Sequence, residues 1–541
     1  VFWADEIAAW AAEAAEASGS RAPVVVNDSK TPSGTVHVGS LRGPVIHDEI
    51  WRALRRMGVP ATYRYGVDDL DPMDAQALLT PDAVDRSMGV PLAHVPPPPG
   101  SDAPSYARHF VGELFLGTFQ PLGLHPEVYW MSEVYAAGDM DRYIRAALDA
   151  AETIRTIYRE VSHVDKEPGW LPLSVICTNC GRVGTTAATD WDGETVAYAC
   201  QPDAVAWATG CGFTGRASPF AGAAKLPFNV DWAAKWSLFD IAVEGCGKDL
   251  ATAGGSRDRS DAISRQVYDR EPPLNVTYEF INVGGRKMST SQGRGVPAHE
   301  IAEVMPPDEL RLFLIRHRPN VSFDFDPAGT DAIPRQVDEF DRLAAATAGR
   351  PIRGELPADP ERIFAAALVD PGADVAAEAG AWRPAFSHLA LLVQLPGVDA
   401  AERAAAEKGE PLTDREAAIL DRRIRSARAW LETYAPESAR IEVQRDAVPA
   451  SVGELAPDQR AYCTALADGL AALPAAAWTG EGLQSAIFAT AKERGIASGQ
   501  AFAALYAAFL GRPSGPRAGW LLASLDRAFV VDRLRQAGAT A

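Results

Sequence analysis

The stretch PVVVN at residues 23–27 leads, a few residues later, into TPSGTVHVGSLRG at residues 31–43. Three consecutive valines read as a buried strand, because β-branched side chains suit a pleated surface covered on both faces. Residues 40–57 then place Leu41, Val45, Ile46, Ile50, Trp51 and Leu54 at the spacing of a helix with one apolar face. A second strand follows in ATYRYGV, ahead of DDLDPMD. Strand, helix and strand in close succession form the unit of a parallel sheet covered by helices, and such sheets bind ligands at the carboxyl ends of their strands. The 31–43 loop and the acidic group Asp68, Asp69 and Asp71 both fall at those ends.

The loop has the chemistry to meet phosphate. A strand that ends in a glycine-bearing turn and opens a helix presents unpaired N–H groups and partial positive charge. Gly34 and Gly39 let the backbone turn and a flat base approach, Ser40 is placed to cap the helix, and His37 is placed to donate to a phosphate oxygen. An ordinary strand-to-helix turn with an incidental histidine would use the same residues. A second stretch, EFINVGGRKMSTSQGRG at 279–295, joins a strand-like run to two glycines, the cations Arg286 and Lys287, and a run of hydroxyls. Lys287 would offer a compact ammonium to a departing pyrophosphate, with Ser289, Thr290 and Ser291 as donors to a triphosphate. The alternative is a solvated basic turn.

A chain of 541 residues exceeds one core and implies two to four domains. Its formal net charge of −19 excludes a surface coated for indiscriminate nucleic-acid binding but leaves room for a local basic strip. No apolar run reaches the ~18–20 residues of a spanning helix, and the first residues lack a basic, cleavable leader. These features read as a cytoplasmic protein with no membrane partner. From about residue 335 the chain is alanine-rich and helical, which sets a domain boundary near 330–345. Cys177 and Cys180 form C-x2-C before a glycine, and Cys200 and Cys211 would complete a structural Cys₄ zinc site. Unrelated thiols are the other reading, and Cys246 and Cys463 read as core or bystander thiols.

Taken together, TPSGTVHVGSLR, DDLDPMD, WLPLSVICTNCGRVGTT, KLPFNVDWAAKW, EGCGKD, GGSRD, YEFINVGGRKMSTSQG, PPDELRLFLIRHRPN and GPRAGWLLASLD resemble class I lysyl-tRNA synthetases over nearly the whole chain. HVGS stands for the HIGH box of that class and KMSTS for its KMSKS box. The resemblance implies an α/β Rossmann-type catalytic domain in two parts, residues 1–170 and 221–295, interrupted by a zinc-bearing insertion at 171–220. A connecting region at 296–340 would meet the acceptor stem, and an all-α domain at 341–541 would read the anticodon. It also implies lysine, ATP and Mg²⁺ as reactants and cofactor, tRNA-Lys as partner, and a monomer.

His37 and Lys287 are then the catalytic candidates. Pro32, Ser33, Gly34, Gly39, Ser40, Met288, Ser289, Thr290 and Ser291 join them around ATP, with Ser29, Thr31, Asp68, Asp69, Trp232 and Tyr278 around lysine. The aspartates would equally serve a solvated turn, and Trp232 would equally serve the core beside Trp236. This chain departs from the family pattern at Ser40 and Thr290, and has Leu250 and Phe228 where many relatives carry histidine and tryptophan. For RNA, Arg311, Arg316, His317 and Arg318 are the acceptor-stem candidates, while Arg422, Arg425 and Arg428 form a helical stripe that also suits a solvated face. Two further readings share these residues: the same enzyme class acting on another amino acid, and a synthetase-like RNA-binding protein without catalysis.

Overall fold

Val24, Val25 and Val26 lie in β1 (Val24–Lys30), an inner strand of a four-stranded parallel sheet. β1 pairs with β2 (Ala61–Val67) on one side and β4 (Ile241–Glu244) on the other, and β3 (Glu127–Trp130) pairs with the outer side of β2. The computed structural model describes residues 1–19, 22–75, 79–288, 295–395 and 398–539. They divide into two units, residues 1–326 with 339–380, and residues 327–338 with 381–541.

Between β1 and β2 runs α2 (Arg42–Arg56), while α1 (Trp3–Ala17) packs against α2. The chain enters α2 through a tighter 3₁₀ turn at Val38–Leu41, in which the Ser40 N–H donates to the His37 carbonyl at 2.9 Å. Ser40 is therefore inside that turn and is not the helix cap expected from the sequence, because the 3₁₀ turn satisfies the entry N–H groups by itself.

The buried face of α2 carries Asp48, Glu49 and Arg52 among its apolar residues. The two acids are met by Arg311 on α4 (Pro307–Ile315), which is fully buried. Its Nη1 lies 2.8 Å from Asp48 Oδ2 and its Nη2 3.3 Å from Glu49 Oε2, while Arg52 Nε lies 2.8 Å from the same Asp48 oxygen. Arg311 is thus an internal tie and not the acceptor-stem contact the sequence suggested. Arg316 pairs with Glu339, Arg318 with Glu6 at 2.8 Å, and His317 lies against the Phe323 ring. Removing one partner of a buried ion pair strands the others, at a cost of about 3–5 kcal/mol. Arg311→Met is expected to lower unfolding stability by that amount in urea titration; a change below about 1 kcal/mol would show the tie to be no stronger than a surface pair.

Residues 339–380 belong to the first unit, so the boundary drawn from composition is corrected. Arg362, on α5 (Pro360–Ala367), contacts Asp5 at 2.7 Å and Glu49 at 3.0 Å, and Arg52 Nη1 donates to the Leu368 carbonyl at 2.9 Å. Alanine-rich composition announces helix without announcing which core the helix joins.

An antiparallel pair, Ser174–Val175 with Ala224–Lys225, closes the root of the insertion, which carries its own sheet of Thr186–Trp191, Val196–Cys200 and Thr214–Ala217. In the second unit, α6 (Asp414–Thr433) opens on a capping box in which Thr413 and Glu416 satisfy each other's backbone N–H groups. Arg423 on α6 is buried and donates to the Pro384 carbonyl at 2.9 Å, whereas Arg425 is exposed and paired with Asp421. α7 (Pro457–Ala472) packs on α8 (Arg527–Ala539), and Cys463, Leu466 and Leu470 on the one and Val530 and Leu534 on the other are buried. Among the described residues no helix is long and apolar enough to cross a membrane.

Candidate active site

The two glycine-rich signatures meet through their backbones. The Val38 N–H donates to the Val296 carbonyl at 2.7 Å, the Ala298 N–H donates to the Val36 carbonyl at 2.8 Å, and His37 faces Pro297 between them. Contact there is close enough to need glycine, since a Cβ on Gly295 would stand 2.9 Å from His37 Cβ, at a φ of +147° that side chains avoid. His37 and Lys287, 250 positions apart in chain order, consequently line one cleft of about 300 Å³ at the carboxyl ends of β1 and β4.

Of the residues singled out from the sequence, Ser29, Thr31, His37, Gly39, Ser40, Asp68, Trp232, Tyr278, Lys287 and Met288 line this cleft. Pro32, Ser33, Gly34 and Asp69 do not. Asp69 is consumed locally, its two oxygens accepting the Ser132 N–H at 2.8 Å and the Ser132 hydroxyl at 2.5 Å. Ser289, Thr290 and Ser291 lie outside the described residues. Trp232 is both core and wall: it is buried between Phe228 and Trp236, and it lines the cleft.

Phe228 and Leu250, the two departures from the family pattern, line the cleft as well, and it also contains residues the sequence reading gave no role there: Asp28, Lys30, Tyr65, Glu244, Cys246, Asp249 and Phe280. Asp28 and Lys30 end β1 and Glu244 ends β4, so the carboxyl-end rule that drew attention to Asp68 would also have found them. Cys246, taken as a bystander, sits on the strand that continues past β4.

Its carboxylates differ in what already holds them. Asp68 Oδ1 lies 2.6 Å from the buried Lys235 ammonium on α3 (Phe228–Leu238); although burial works the other way, Lys235 and Lys225 hold its carboxyl below the usual range. Glu244 accepts from Asn27 at 2.8 Å and from Trp236 Nε1 at 2.6 Å. Asp249 pairs with Lys287 at 2.7 Å. Asp28 is nearly buried, and its only ion-pair contact among the described residues is His47 Nδ1 at 3.7 Å.

That imidazole is neutral. His47 Nε2 accepts the Gly245 N–H at 2.8 Å, leaving Nδ1 to donate to the Gly43 carbonyl at 2.7 Å, and burial keeps its pKa low. Among the described residues Asp28 therefore has no cation in contact, and burial pushes its carboxyl up to about 7. Asp28 Oδ2 and the Tyr278 hydroxyl converge on Gly43, each 2.8 Å from where a Cβ would stand.

The basic groups are Lys30, Lys287 and His37. Burial, reinforced by Lys30 and Lys287, pushes His37 down to about 4, so the ring is neutral at pH 7 and can donate without adding charge. Its Nδ1 is buried without a hydrogen-bond partner among the described residues, as expected of a donor awaiting a ligand. Lys287 lies over the Phe280 ring at 3.9 Å and is half-exposed with its Asp249 partner. A surface pair of this kind is worth about 0–1 kcal/mol, so the ammonium is readily released to a stronger anion.

Away from the cleft, the Sγ atoms of Cys177, Cys180, Cys200 and Cys211 all lie within 4.8 Å of one another. Cys177 to Cys211 and Cys180 to Cys200 are each 3.7 Å apart, close to the ~3.8 Å edge of a tetrahedron with metal–sulfur bonds near 2.3 Å. The ten residues between Cys200 and Cys211 loop out, because Cys200 bonds back to Phe213 and Gly212 through the backbone. The donor set and spacing fit a metal ion.

Residues 1–360 match the family model described as tRNA synthetases class I (K), and residues 425–538 match an anticodon binding domain. The fold and cleft are those of a class I aminoacyl-tRNA synthetase. The chain is 32% identical over 516 residues to a lysine–tRNA ligase of Archaeoglobus fulgidus, covering 94% of this chain and 95% of that one. It is 30% identical over 559 residues to a lysine–tRNA ligase of Methanosarcina barkeri, covering 99% and 98%, and 32% identical over 530 residues to lysine–tRNA ligase 1 of Methanosarcina acetivorans, covering 94% of each. The chain belongs to the lysine family of class I tRNA synthetases.

Proposed function

We propose that this chain activates lysine with ATP to lysyl-adenylate and transfers it to the terminal adenosine of tRNA-Lys. The observation that carries this reading is the backbone pairing of residues 36–38 with 296–298, which brings His37 and Lys287 to one cleft beside a buried carboxylate, Asp28, that has no Lys or Arg ion-pair partner among the described residues. In the first step a lysine carboxylate oxygen attacks the α-phosphorus and the bond to pyrophosphate breaks; catalysis rests on positioning and on neutralising the leaving charge. Neutral His37 donates to a phosphate oxygen, Lys287 leaves Asp249 for the departing pyrophosphate, and Mg²⁺ accompanying ATP supplies further positive charge. The hydroxyl of the tRNA terminus then displaces AMP at the carbonyl. The second unit, through residues 425–538, would read the anticodon.

Lysine brings two ammonium groups and must find acceptors for both. Asp28 with Tyr278 forms one acceptor, since Asp68 and Asp249 are already held by lysines of the protein. Phe228 and Leu250 both line the cleft, and with them the wall is more apolar than histidine and tryptophan would make it. Pyrophosphate exchange with each of the twenty amino acids tests the reading: exchange with lysine alone supports it, and exchange with another amino acid or with none contradicts it.

The four cysteines would hold a structural zinc, with four protein ligands and no open position for catalysis. Elemental analysis is expected to find about one zinc per chain, and a value near zero would remove the metal from the account.

A further inference from the structure

We infer that Asp71 is a positioning residue for the amino-acid site, acting through the hydroxyl of Thr31; this rests on the proposed lysine activation. Thr31 lines the cleft, and its Oγ1 donates to Asp71 Oδ2 at 2.7 Å. The other oxygen, Asp71 Oδ1, lies 2.8 Å from the Lys225 ammonium, which is nearly buried at the root of the insertion in the strand pair with Ser174. The turn that carries Asp71 is itself fixed: the Asp68 N–H donates to the Lys30 carbonyl at 3.0 Å, and the Leu92 N–H to the Asp71 carbonyl at 2.9 Å.

The chemical consequence follows from counting protons. A threonine hydroxyl has one hydrogen to give and two lone pairs to offer. A carboxylate can only accept, so Asp71 claims that hydrogen and leaves Thr31 Oγ1 as a pure acceptor toward the cleft. An acceptor held there suits an ammonium N–H and repels a carboxylate or phosphate oxygen. Lys225 holds the second Asp71 oxygen at 2.8 Å, which keeps the first turned toward the Thr31 hydroxyl. The strand pair at the root of the insertion is therefore linked to the amino-acid site through Lys225 and one relay, Asp71.

The test is a mutant cycle on the full chain, read by calorimetric titration with lysine and by the exchange rate. Asp71→Asn frees the hydroxyl to turn, because an amide both donates and accepts, and is expected to weaken lysine binding about tenfold while the exchange rate at saturating lysine and ATP changes less than about threefold. Thr31→Val is expected to weaken lysine binding comparably, Thr31→Ser to restore it, and Asp71→Asn placed on Thr31→Val to add nothing further. Additive losses, or a fall in the saturated rate together with unchanged lysine binding, would overturn the relay. Absence of lysine binding by the unaltered chain would instead overturn the functional reading on which the relay rests.

Discussion

Replacing Lys287 with alanine is expected to slow lysine-dependent pyrophosphate exchange by about 10²–10³-fold, the loss typical of one donor aimed at developing charge. Lysine affinity should stay within about twofold of the original. The reason lies in where the ammonium rests. In the free protein it is held by an exposed pair with Asp249 and by the Phe280 face, contacts that cost little to leave. Its value appears only when a pyrophosphate departs, so the saturated rate should fall while the ground state is barely altered. Asp249→Asn is the matching control, since freeing Lys287 from its resting partner removes nothing from the transition state. An unchanged exchange rate in Lys287→Ala would show that the hairpin serves some purpose other than leaving-group stabilisation.

The second large effect is expected at Asp28. A hydrogen bond to a charged partner is worth about 1.5–3 kcal/mol, so Asp28→Asn should weaken lysine binding roughly 10- to 100-fold. The pH dependence provides an independent reading. Burial raises the Asp28 carboxyl to about 7 in the free protein. Below that value the group is protonated, and taking up an ammonium ion requires the proton to leave. Lysine affinity should therefore rise about tenfold per pH unit up to about 7 and level off above it. In Asp28→Asn this slope should vanish. A slope that persists in the variant would assign the titration to another group.

Much of the fold was legible because its signals are local. Three valines before a glycine-bearing loop, a helix with one apolar face and a second strand describe a parallel α/β unit, and β1, α2 and β2 stand where that pattern puts them. The cysteine cluster was legible for the same reason, since C-x2-C is a local geometry. Asp68 lines the cleft as expected, but its pairing with Lys235 was not legible, because that lysine is distant in sequence and nothing near DDLDPMD announces it. Arg311 was misjudged for the same reason: RLFLIRHRPN looks basic and solvated, yet the acids that bury its first arginine sit on α2. Asp28 was overlooked because a strand that begins with three valines reads as pure core, and only the tertiary structure shows that its last residues emerge into a cleft. Long-range charge pairing decides which polar residues remain free for a ligand, and a linear sequence does not display it.

The most direct test is a crystal structure of the full chain with a non-hydrolysable lysyl-adenylate analogue. The account predicts an adenosine moiety seated between the 37–40 turn and Met288, with a lysine ammonium on Asp28 and Tyr278. An analogue bound away from His37 and Met288, or one whose ammonium groups both ignore Asp28, would contradict it.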